Sequence, residues 1–165
     1  MDFKKIFGQL DDKKWEVEKK KWRDDIKKIS LPQDMEGQGS MIIAIEYQLD
    51  DLYSHASFYY SKYRTSYENI QDYIKAIEKV YGEKGGNPQE RSANAYKMIL
   101  YYPSGDKKDQ NSVNLLELQN KIRERYYFFR DFVMDNLKAK ADKLNTNIGA
   151  SKIEAQIGSS YGAKA

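Results

Sequence analysis

The chain has 165 residues, 28 lysines and arginines against 25 aspartates and glutamates, one histidine and no cysteine, enough for one compact domain without covalent staples. Having no cysteine excludes disulfides, thiolate metal sites and thiol nucleophiles, and a lone histidine excludes His-pair metal sites and any triad that needs a second histidine. A net charge of +3 is too small to argue for nucleic acid by itself, and its surplus lies late, with nine basic against six acidic residues in 112–165.

Residues 1–38 read as a charged N-terminal helical arm. Trp15, Trp22, Ile26 and Ile29 are spaced 7, 4 and 3 apart among dense mixed charge, and the intermixed acids favour docking, on a partner or on the protein's own bundle, over a membrane surface. The start has no uninterrupted apolar run of a signal sequence, and no window nears the roughly 18 to 20 apolar residues of a membrane span. A soluble, cytoplasmic protein with no membrane partner is expected. The segment "SLPQDMEGQGS" then separates the arm from a bundle domain at 39–154.

Within that domain, apolar and aromatic residues from Ile42 to Tyr81 recur three and four apart, through Leu49, Ala56, Tyr59, Tyr63, Tyr67, Ile70 and Ile77. This is the signature of one long helix, with Ser40 as N-cap and "GEKGGNP" as its stop. At about 1.5 Å per residue it runs roughly 60 Å, too long to stand without a partner. Asn87, Pro88 and Glu90 read as N-cap, N1 and N3 of a short helix to about Leu100. After the break "PSGDKKDQNS", a second stripe runs from Val113 through Leu115, Leu118, Ile122, Tyr126, Phe129, Val133, Leu137 and Leu144 to Ile148. Its mean spacing exceeds 3.6, which favours a straight or slightly right-handed partner over a strict heptad zipper. Residues 155–165 read as a flexible tail. The expected fold is all-α: two long antiparallel helices in a coiled-coil-like hairpin, a short helix between them, and the arm.

Signals for catalysis are poor. Asp51 and His55 stand four apart, which is ordinary for a helix-surface pair, and "GEKGG" lacks the Gly-Lys-Ser/Thr order of a phosphate loop. No enzymatic activity, metal or cofactor is expected. The densest feature is "RERYYFFRDF" at 123–132, with five aromatic rings and three arginines. On a helical wheel with Tyr126 at zero, Phe129 and Val133 fall within about 60° of it, beside Ile122 and Leu137, and form the packed stripe. Phe128 and Phe132 fall near about 200° and 240°, beside Lys121, Arg125 and Lys143 at about 220° to 260°. Such a stripe can track a single strand, cations on phosphates and Phe128 under a base, or a second helix or subunit can cover it. Fourteen tyrosines favour interfaces, and Tyr59, Tyr63 and Phe132 are the candidates for a homo-oligomer contact.

In order, "LYSHASFYYSKYRTSYE", "GEKGG", "ERSANAY" and "RDFVMDNLKAKADKLNTNIGASKIE" resemble the layout of UvsY-like phage recombination mediators over about residues 49–154. The resemblance implies a single-stranded-DNA-binding accessory that assembles into a ring-like oligomer. It would help load a recombinase onto strands held by a single-strand-binding protein, in the host cytoplasm for a phage-encoded chain. By position it adds Lys62, Arg64 and Arg91 to the DNA-binding candidates Lys121, Arg125, Phe128 and Lys143. The alternative from a different class is a helical phage assembly or virion protein whose aromatic stripes are subunit contacts.

Overall fold

The structure, a computed structural model, describes residues 3–32, 37–84 and 86–162, with the backbone alone described from 155 onward. Parts of the arm linker (33–36), of the glycine-rich break (85) and of the tail (163–165) lie outside the described residues. The fold is all-α. Its elements are α1 (Phe3–Gln9), α2 (Asp12–Lys28), α3 (Gly39–Glu83), α4 (Pro88–Leu100), α5 (Leu115–Tyr127), a π-helical segment (Phe128–Met134) and α6 (Asp135–Gly162). Among the described residues the only strand-like pairing is one antiparallel bridge between Tyr102 and Val113, beside a cis Tyr102–Pro103 bond.

Local chemistry sets most of the boundaries. Asp11 opens α2, its Oδ1 accepting from the backbone N–H of Lys13 and Lys14 at 2.8 and 3.0 Å. Helix α3 starts at Gly39, so Ser40 lies in its first turn rather than capping it. Past its end Gly86 takes φ +86, a left-handed conformation that glycine adopts without a Cβ clash. Asn87 and Glu90 form the expected capping box at α4, with Pro88 in the first turn. Asn114 caps α5 by accepting from Leu116 and Glu117.

The chain divides into two compact units, and α2, α3 and the helical run from Leu115 to Gly162 contribute to both. The first unit comprises the described residues of 1–17 and 59–128. Its core joins Ile70, Ile74 and Ile77 of α3 with Ile99 of α4, Leu118 and Ile122 of α5, and Phe3 and Leu10 of the arm. Each such side chain contributes about 1.5–3 kcal/mol through burial. Phe3 sits edge-on to Tyr73 and Tyr102, at centroid distances of 4.9 and 5.5 Å. The sequence reading assigned residues 1–38 to one helical arm and did not separate α1 from α2. Seven residues with few apolar positions give too short a periodic signal.

The second unit comprises the described residues of 18–58 and 129–165. Trp22, Ile26, Ile29, Ile45, Leu49, Phe129, Val133, Leu137 and Leu144 are buried there. Trp22 meets Phe129 edge-on at 5.3 Å, and Lys140 Nζ donates to the Ile29 carbonyl at 2.7 Å. The arm is therefore packed structure in each unit.

The π-helical segment accounts for the long mean spacing of the second stripe. A uniform 100° per residue turns the buried positions forward by roughly 60° between Leu115–Phe129 and Val133–Leu144. The wider π turn removes about one residue's rotation, which keeps successive buried positions on one slightly backward-drifting seam.

Candidate nucleic-acid interface

Helix α5 buries two of its faces within the first unit. One is the expected stripe, where Tyr126 stacks on Tyr60 and Tyr67 at 5.5 and 6.0 Å. The other is the face read from sequence as a basic and aromatic stripe, and arm residues cover it. The Trp15 ring lies edge-on to Phe128 at 5.2 Å and to Tyr63 at 6.5 Å. Its indole N–H donates to Glu124 Oε1 at 3.0 Å.

These contacts correct three site assignments. Arg125 is only 3 % exposed, with its guanidinium 5.2 Å from the Trp15 ring centroid and Nη2 donating to the Asp11 carbonyl at 3.3 Å. Its Nη1 is buried without an acceptor. Packed this way it does not reach a phosphate. Phe128 is half-buried against Trp15 rather than an open stacking platform. Lys121 pairs with Asp12 at 2.8 Å and with Glu117 at 3.5 Å, and lies 5.2 Å from the Phe7 ring centroid. The hydrogen bond that Lys121 donates to the Asp12 carboxylate raises the Lys121 pKa above its ordinary value.

The error came from the wheel's origin. Tyr126 is itself half-buried and lies at one edge of the buried arc, so centring there pushed Arg125 outward when it flanks Ile122 and Phe129 on the inner side. Asp12 and Phe7, the arm's contacts to Lys121, carried no periodic signal of their own. Trp15 did, through its spacing from Trp22.

The remaining candidates are spread out. Lys62 is exposed, its Nζ 5.9 Å from the Tyr63 ring centroid. Arg64, exposed on the same helix, donates to Glu68 at 2.9 Å, and that bond raises its pKa. Arg91 is half-buried and holds the α3–α4 turn, donating to the Gly82 and Gly86 carbonyls at 2.9 and 3.2 Å. It borders an open groove of about 440 Å³ with Glu78, Pro88, Tyr96 and Ile99. Lys143 is exposed on α6, in the second unit.

The three oligomer-contact candidates are engaged within one chain. Tyr59 stacks on Tyr63 at 6.4 Å, Tyr63 meets Trp15, and the Arg23 guanidinium lies 5.5 Å from the Phe132 centroid.

No family model, curated protein or solved structure matches this chain. The site must be weighed on its own chemistry. Asp51 and His55 form an exposed pair at 3.8 Å, and among the described residues no three His, Cys, Asp or Glu side chains group to hold a metal ion. Nor is any described helix long and apolar enough to cross a membrane.

Proposed function

We propose that the protein is a non-enzymatic, single-stranded-DNA-binding accessory of phage-type recombination or replication. It acts as a homo-oligomer that helps load a recombinase onto strands held by a single-strand-binding protein. One observation supports the DNA-binding part: beneath the arm in the first unit, Arg125, Phe128 and Tyr63 meet one ring, that of Trp15, and Lys121 pairs with Asp12 three residues before it. Cations interleaved with aromatic rings are what an unpaired strand requires, phosphates on the former and bases on the latter, with little sequence preference. Lys62 and Arg64 extend the basic character along α3. The recombination role rests on the sequence resemblance alone.

The test is fluorescence anisotropy of labelled oligo-dT and of a matched duplex across a salt series. Preference for the single strand, weakening with salt and a several-fold loss in Lys62→Ala/Lys121→Ala are expected. No binding by micromolar protein near about 50 mM salt, where phosphate contacts are strongest, overturns the proposal.

A second reading, a structural assembly protein, is favoured by the outward face of α3 in the second unit. Ile43 and Tyr47, four residues apart on one side of the helix, are 53 % and 73 % exposed there. Adjacent exposed apolar side chains on one helix suit a subunit contact.

A further inference from the structure

We propose that residues 11–17 of the arm are a displaceable occupant of the strand-binding surface, so that single-stranded DNA and the arm compete for one site. This rests on the DNA-binding reading above and adds its regulation. All the groups concerned lie in the first unit.

The arm presents to α5 the chemistry of a nucleotide. Asp12 places a carboxylate oxygen on Lys121 Nζ at 2.8 Å, where a phosphate oxygen would sit. The Asp11 carbonyl accepts from Arg125, as a second phosphate oxygen would. The Trp15 indole, a flat bicyclic ring the size of a purine, lies against Phe128, Tyr63 and the Arg125 guanidinium, where a base would lie. Anion on lysine, acceptor on arginine and a ring among rings supply the groups that a strand brings to a basic and aromatic track, with the indole packed edge-on to Phe128 and Tyr63 where a base would turn its face.

The fit is incomplete at one point. Among the described residues, Arg125 Nη1 is buried without an acceptor, and a neutral carbonyl on Nη2 is the one hydrogen-bond acceptor the guanidinium has. A buried guanidinium ordinarily takes a carboxylate or phosphate on both nitrogens of its fork, and leaving one donor unmet is costly. The docked arm therefore holds the site below full satisfaction, and a phosphate supplies the charge and second acceptor that the arm lacks. Phe3 and Leu10, buried in the first unit's core, tether the arm's start, so a displaced segment stays beside the site it left.

The experiment uses the full chain. Asp12→Asn removes the carboxylate from Lys121 at an exposed position, without touching the core. Asp72→Asn, on α3, removes the same charge without freeing Lys121. Labelled oligo-dT is titrated into the wild type and both variants at one salt concentration. Trp15 emission and acrylamide quenching are followed in Trp22→Phe, where Trp15 is the sole tryptophan. Circular dichroism checks the fold of each variant. Competition predicts that Asp12→Asn binds oligo-dT about two- to fivefold tighter than Asp72→Asn, the range set by losing one exposed ion pair. It also predicts that saturating oligo-dT shifts Trp15 emission to the red and opens it to quencher, while a duplex does neither. If oligo-dT binds all three proteins, Asp12→Asn matches Asp72→Asn and Trp15 stays shielded, the competition is overturned, the arm is a fixed part of the fold and the strand runs elsewhere. If neither the wild type nor Asp12→Asn binds, the DNA-binding reading falls with it.

Discussion

Arg125 shows how one side chain changes meaning between a wheel and a packed helix. Its charge suggested a phosphate contact, yet its aliphatic stem and planar head fill space against Trp15 with one donor unmet. Arg125→Met keeps the stem and removes the unmet donor. Its stability to urea should match the wild type within about 1 kcal/mol or exceed it, because a well-packed apolar replacement for a buried charge is often neutral or stabilising. Arg125→Ala leaves a cavity beside Trp15 and should cost about 2 kcal/mol or more. If Met costs as much as Ala, the guanidinium itself is what the fold needs. Asp11 supplies a different test. Backbone hydrogen bonds, led by that from Lys14, hold its pKa below the ordinary carboxylate value. A lowered folded pKa means that its stabilising effect is present above about pH 4 and fades as pH falls through the folded value. Asp11→Asn retains a capping oxygen that does not titrate, so melting temperature against pH should fall less steeply below pH 4 in the variant. An unchanged acid slope removes Asp11 from the account.

Among the helices, α3 and α4 were the easiest to read. The stripe of α3 is long, and at α4 Asn87, Pro88 and Glu90 form a boundary motif with one structural meaning. The second long stripe was legible in position but not in form. Its excess spacing favoured a straight or slightly right-handed partner, and the structure shows instead a π turn at Phe128–Met134 that accommodates an extra residue. This has a consequence for deletions. Removing exposed Asp131 lets that stretch become regular α-helix while its buried positions stay on their seam. Melting should shift by no more than about 4 °C, equivalent to about 1 kcal/mol at this chain length. Removing exposed Ala139 instead rotates fully buried Leu144 and the Lys140 bond to Ile29 by about 100°, and should lower melting at least twice as far. Equal shifts would mean that the π turn absorbs no extra residue.

For the protein as a whole, the rings expected to join subunits are engaged within one chain, and an apolar helix face outside that set stands exposed. Proposed self-association should therefore depend on Ile43 and Tyr47 of α3 rather than on Tyr59 or Tyr63. Light scattering should find that Tyr47→Asp lowers the assembly's mass while Tyr59→Ala leaves it unchanged; the reverse pattern would restore the original assignment. The all-α class, the long helices and most buried apolar positions, though not Phe3, Leu10, Ala95 or Ile99, followed from residues three and four apart, because helical periodicity is a local property that a chain carries in its order. Which cations remain open to a ligand did not follow. Lys121 meets Asp12 across 109 residues of chain, and neither residue's neighbours specify the other. The second face of α5 is covered by a segment whose docking depends on Phe3, Leu10 and Trp15 finding partners far along the chain. Only the folded arrangement could decide that, because burial of a charge is set by what packs over it as well as by its place on its own helix.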